Sequence, residues 1–151
     1  MRNATDRIAQ SLHPYALAAS RIVLGSVFLY HGWGKVMNFA ATIGFFSQVG
    51  ILLPGPSAAA AALAEVAGGL ALILGIGVSF AALPLAFTVA MAILFVHLGA
   101  GFAAPNGYEF PLVLLAAVLA QGTAGAGAYA LGGLLEARGR GGAGALRRQA
   151  A

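Results

Sequence analysis

Long apolar runs alternate with short polar breaks along this chain. Four runs come close to the roughly 20 mostly apolar residues that a helix needs to cross a bilayer: Tyr15 to Met37, Ser57 to Val78, Phe80 to Gly101 and Phe110 to Leu131. They predict four membrane-spanning helices. Between the first two, Asn38 to Leu53 mixes Phe39, Ile43, Phe46 and Ile51 with Asn38, Thr42, Ser47 and Gln48. That stretch is too short and polar for a span and suits an interfacial helix over the outer end of the bundle.

Punctuation residues separate the runs. Pro54-Gly55-Pro56 breaks the chain, and Ser57 is placed to cap the second helix. A short turn around Gly77 to Ser79 makes the second and third helices antiparallel neighbours. Pro84 falls early in the third, Asn106-Gly107 marks a turn, and Pro111 falls in the first turn of the fourth. The expected fold is therefore all-α, an integral membrane four-helix bundle with an interfacial helix between helices one and two. Residues 1–14 form a lead-in ending at Pro14, residues 15–135 the bundle, and residues 136–151 a basic Gly/Ala/Arg-rich tail that cannot bury a core and is expected to be disordered.

Composition agrees with a bilayer environment. The chain is 60% hydrophobic and 8% charged, whereas a water-soluble domain carries about a quarter charged residues. With no cysteine, it has no disulfide, thiolate metal ligand or redox thiol of its own. The first run contains Arg21 and is too long for a signal-peptide core, so it is expected to stay as a span. The net charge of +4 comes largely from arginines outside the spans. Arg2 and Arg7 precede the first, and Arg138, Arg140, Arg147 and Arg148 follow the last. By the positive-inside rule both termini are cytoplasmic, and the arginines face anionic headgroups rather than nucleic acid.

The few polar residues inside the runs carry the candidate chemistry. On helix one, Arg21, Phe28 and Lys35 share one stripe, flanked by Gly25 and Gly32 on one side and Leu24 and His31 on the other. Glycines beside that stripe allow a neighbouring helix to come close. On helix two, Glu65 shares a face with Gly68, Gly69 and Leu72, and an isolated carboxylate there must be protonated or meet a cation. Alternating helix directions gather His31, Lys35, Glu65, His97 and Glu109 at the outer half of the bundle.

Several readings of that cluster stand side by side. It is a structural network tying four helices together, or a ligand site. Two histidines alone are a weak signal for haem, and no Glu-x-x-His spacing marks a metal site. A quinone or other small amphiphile fits the residue types better. His and Lys can hydrogen-bond carbonyl oxygens, carboxylates can relay protons, and Tyr30, Trp33, Phe45, Phe46 and Tyr108 can form aromatic walls. A small-solute transporter, assembled from several copies, is the third reading.

Taken in order, R-x3-G-x5-H-G-x2-K (Arg21, Gly25, His31, Gly32, Lys35), E-x2-G-G (Glu65, Gly68, Gly69), His97 and Tyr108-Glu109 resemble the DoxX family of bacterial four-helix membrane proteins, over about residues 15 to 133. The resemblance implies an inner-membrane protein with an oxidoreductase role, linked in relatives to quinones and to redox partner proteins. It implies His31, Lys35, Glu65, His97 and Glu109 as pocket residues and Arg21 as a structural charge. One departure stands out. Where the family has roughly G-P-G-R-Y-S-L-D after helix four, this chain has Gly125-Ala126-Gly127-Ala128-Tyr129-Ala130-Leu131-Gly132, without the Arg and the Asp.

Overall fold

Apolar runs cut by glycine and proline give helices and tight turns. The computed structural model describes residues 3–103 and 105–133, with no strand among them. The readings of Arg2 and of the 136–151 tail lie outside these residues. In chain order the helices are α1 (Ala4–Met37), α2 (Phe39–Gln48), α3 (Pro54–Leu74), α4 (Val78–Ala92) and α5 (Glu109–Ala124). A π-helical turn, Ile93–His97, and a 3₁₀ turn, Leu98–Ala100, prolong α4. Three helices, Ala4–Met37, Pro54–Leu74 and Val78–Ala100, are long and apolar enough to cross a membrane, and Glu109–Ala124 is a shorter apolar helix. The fold is an all-helical, multi-pass membrane one.

Three local expectations need correction. The lead-in is helical from Ala4, and Pro14 lies inside α1 rather than ending a coil. Ala16, Ala18 and Ala19 follow it, and their helix propensity carries the helix onward despite the lost backbone bond. Ser57 does not cap α3, which starts at Pro54 with proline in its first turn, where the missing N–H costs nothing. Leu53 precedes it with a left-handed φ of 50°, and Ser57 Oγ instead donates to the Leu52 carbonyl at 2.7 Å. Pro84 lies inside α4 because that helix begins at Val78, upstream of the expected start.

Glycines decide how closely the helices pack. A Cβ on Gly25 would stand 2.6 Å from the Gly69 carbonyl oxygen, and one on Gly69 would stand 2.8 Å from that of Gly25. A Cβ on Gly32 would come within 2.8 Å of Glu65 Cβ. Thus α1 and α3 run antiparallel with their backbones in contact, as membrane helices do where small residues face one another. Behind this pair, Leu24, Phe28, Leu72, Leu85, Val89 and Val118 form the core shared with α4 and α5.

The opposite end is closed by the chain after α5. Arg21 is 1% exposed, and its Nη2 donates to the Tyr129 carbonyl at 2.7 Å. Tyr129 in turn stacks on Tyr15, ring centroids 5.0 Å apart. Gln121, also buried, receives Ser20 Oγ at 3.0 Å and donates to Gly125 O at 2.9 Å. These bonds tie α1 to α5 and to the segment beyond it.

Candidate functional site

Backbone contact between α1 and α3 brings Lys35, in the last turn of α1, to Glu65 in the middle of α3. Lys35 Nζ lies 2.5 Å from Glu65 Oε2, with the two side chains 23% and 10% exposed. A shielded carboxylate must be matched by a cation or lose its charge, and Lys35 supplies that match.

The pair lies on the wall of a cavity of about 790 Å³. From α1 come Phe28, His31 and Lys35. The α2 helix and the loop after it add Phe45, Phe46, Ile51 and Leu52. From α3 come Ser57, Ala60, Ala61, Ala64 and Glu65, and α4 with its π turn presents Phe87, Thr88, Met91, Phe95 and His97. Phe110, Pro111 and Leu114 of α5 close the remaining side. Phe45, Leu52 and Phe110 are also exposed, so the cavity opens to the surroundings. Small alanines on α3 facing bulky side chains on α4 are what leave the space.

His97 has one nitrogen assigned by its partner. Its Nδ1 is 3.0 Å from the backbone carbonyl of Asn106, which only accepts, so Nδ1 carries the hydrogen and neutral His97 keeps a lone pair on Nε2. The π turn ending at His97 is the kind of local widening often found at functional positions. His31 meets Tyr30 edge to face, with centroids 5.6 Å apart.

Of the residues singled out in the sequence, His31, Lys35, Glu65, His97, Phe45 and Phe46 line the cavity, and Tyr30, Trp33, Tyr108 and Glu109 do not. Tyr30 is 79% and Trp33 57% exposed. The helical period that aligns Arg21, Phe28 and Lys35 toward α3 turns these two rings to the far side of α1. Tyr108 packs edge to face on Phe102, centroids 5.4 Å apart. Glu109 opens α5 with its N–H on the Phe102 carbonyl at 3.0 Å, and the two residues that follow it, Phe110 and Pro111, reach the cavity. Arg21 sits away from the cavity at the closed end of the bundle.

Sequence reasoning passed over Thr88, Phe87 and Met91. Thr88 follows Pro84 by one turn and both line the cavity, so a hydroxyl one turn after a helix-interior proline was the available signal. A second, open hollow of about 340 Å³ between α1, α2 and α3 has only apolar walls and offers no chemistry. Among the described residues, no three His, Asp or Glu side chains gather as a group able to hold a metal ion.

Two curated proteins illustrate the relatives. An uncharacterized protein of Haemophilus influenzae is 35% identical over 127 residues, covering 81% of this chain and 92% of that protein. A Bacillus subtilis protein named "Putative oxidoreductase CatD" is 31% identical over 100 residues, 66% of this chain and 73% of its own. No solved structure matches the chain significantly. The DoxX family model matches residues 16–98, from before Arg21 to just past His97, and the chain belongs to the DoxX family.

Proposed function

We propose that this membrane protein binds a quinone-like or other small redox-active molecule in the cavity between α1, α3 and α4, as a subunit of an oxidoreductase in the bacterial inner membrane. The observation that carries the proposal is a roomy, mainly apolar cavity in which a lysine–glutamate pair and two histidines are the ionisable groups. Binding sites for small amphiphiles have this composition, with apolar walls and a few polar groups that fix the head. The name of the CatD relative, which refers to an oxidoreductase, supports the redox part. In this arrangement His31 and Lys35 face a carbonyl head as donors, Glu65 holds or moves a proton, and Phe45 and Phe46 shield the head from water. Both termini lie on the cytoplasmic side, α5 serves as the fourth span, and the cavity faces outward.

A non-catalytic scaffold is the second reading, favoured by the direct tie that Lys35–Glu65 makes between α1 and α3. Thermal-shift titration of detergent-purified protein with ubiquinone and menaquinone analogues separates the two. Saturable stabilisation that His31→Ala and Glu65→Gln both lose is the expected result. No shift for any analogue, with both variants already less stable, would leave the scaffold.

A further inference from the structure

The α3 and α4 helices pack closely near their connection and leave a gap further along. They are joined by a tight turn in which Gly75 and Gly77 are left-handed, so they run antiparallel. At Gly68 the contact is close, since a Cβ there would stand 2.8 Å from Leu85 Cγ. One and two turns further from the connection α3 offers only Ala64, Ala61 and Ala60, which line the same cavity as Thr88, Met91 and Phe95. Alanine side chains do not fill that width, and the gap leads outside: Leu52, Phe87 and Phe95 line the cavity and are also exposed. Phe87 belongs to a second surface as well. With Phe80 and Leu83, both exposed, it forms one helical stripe on the outer side of α4. Within Val78–Ala100 it stands about 14 Å from one end and about 20 Å from the other at 1.5 Å per residue, near the middle of a span.

The edge of this gap is apolar, and of the four ionisable groups on the cavity wall His31 alone is exposed, on α1 rather than at the gap. Beyond the end of α1, the way in is covered by α2 and the loop after it, which add Phe45, Phe46, Ile51 and Leu52 to the wall. Exposed aromatic rings at a mouth are unfavourable in water and cost nothing in hydrocarbon. We infer that the cavity opens sideways between α3 and α4 into the bilayer, and that it admits uncharged molecules dissolved in the membrane rather than solutes from water. The inference rests on the proposed binding site for there being a ligand to admit, and adds the phase that delivers it. An apolar tail keeps to the gap while a polar head reaches the Lys35–Glu65 pair. A free ion or a sugar would lose its hydration at the apolar edge, with nothing there to replace it.

The chain has no cysteine, so a single introduced one carries a nitroxide label to a chosen place. Ala61→Cys puts the label on the cavity wall. Leu83→Cys, on the exposed stripe of α4, is the lipid-facing reference, and Asn106→Cys, in the exposed loop before α5, is the aqueous one. Power saturation of each labelled protein in lipid nanodiscs compares oxygen, which concentrates in hydrocarbon, with a nickel chelate confined to water. The label at position 61 is expected to respond to oxygen as the one at position 83 does, and to lack the nickel response seen at position 106. Filling the gap with Ala60→Trp should reduce the oxygen response several-fold for Ala61→Cys and leave it unchanged for Leu83→Cys. Thr88→Cys serves in place of Ala61→Cys if that variant does not fold. A nickel response in the cavity equal to that of the loop, or shielding from both reagents, would overturn the membrane opening without touching the ligand site, which thermal-shift titration reads separately. An oxygen response in a protein that binds none of the titrated analogues would keep the opening and remove the redox molecule.

Discussion

Lys35 Nζ and Glu65 Oε2 stand 2.5 Å apart, joining the last turn of α1 to the middle of α3 on the cavity wall. The pair forms because Gly32 lets the α3 backbone approach: a Cβ there would meet Glu65 Cβ at 2.8 Å. Removing one partner leaves the other shielded and uncompensated. Lys35→Met or Glu65→Leu should each cost about 3 kcal/mol, whereas the double change Lys35→Met with Glu65→Leu should recover most of it. Denaturation of the four proteins as a double-mutant cycle in one detergent measures this, and additive losses would contradict it.

Glycine contact predicts a steric result. Gly69→Val should lower the stability of the α1–α3 pair by more than the 1–3 kcal/mol typical of overpacking, because the obstructing atoms belong to backbone rather than to a movable side chain. Gly44→Ala in α2, where nothing lies within 4 Å, should fold as the wild type does. Melting temperatures of the two variants side by side give the answer.

Arg21 predicts the reverse of what a buried ion pair would. It is 1% exposed, makes one hydrogen bond to a carbonyl, and its Nε and Nη1 have no hydrogen-bond partner among the described residues. Since an incompletely satisfied buried cation contributes little or nothing, Arg21→Met should preserve or raise thermal stability. Gly75→Ala should lower it, because Gly75 has φ 71° and its Cβ would collide with the guanidinium.

Two pairs of rings that look alike in sequence separate in the fold. Phe45→Ala and Phe46→Ala, on the cavity wall, should weaken ligand binding several-fold. Tyr30→Ala and Trp33→Ala, on the far face of α1, should leave it unchanged. Titration of all four variants with one quinone analogue makes the comparison.

Much of this arrangement was legible in the sequence because its rules are local. Span length, glycine spacing and the stripe Arg21–Phe28–Lys35 announced an inward α1 face, and Glu65 beside Gly68 and Gly69 announced the matching α3 face. The failures came where local rules compete or where the third dimension decides. Pro14 reads as a boundary, yet the alanines beyond it hold the helix together. The rings of Tyr30 and Trp33 are near His31 in sequence but turn away from the stripe of Arg21, Phe28 and Lys35 that faces α3, which the same period could have shown. Glu109 is adjacent to cavity residues, and which of three neighbours at a helix start turns inward depends on how α5 docks. The cavity itself, made by alanines of α3 facing large side chains of α4, has no signature in either helix alone.

Photolabelling with an azido-quinone in native membranes, followed by peptide mapping, locates the bound head most directly. Label concentrated on Ala60, Ala61, Ala64, Thr88 and Met91, and suppressed by an excess of unlabelled analogue, is the expected outcome for a ligand held in the cavity. Label spread over exposed positions such as Phe80 and Leu83, and indifferent to the competitor, would show that the molecule merely dissolves in the surrounding lipid and would contradict the proposed site.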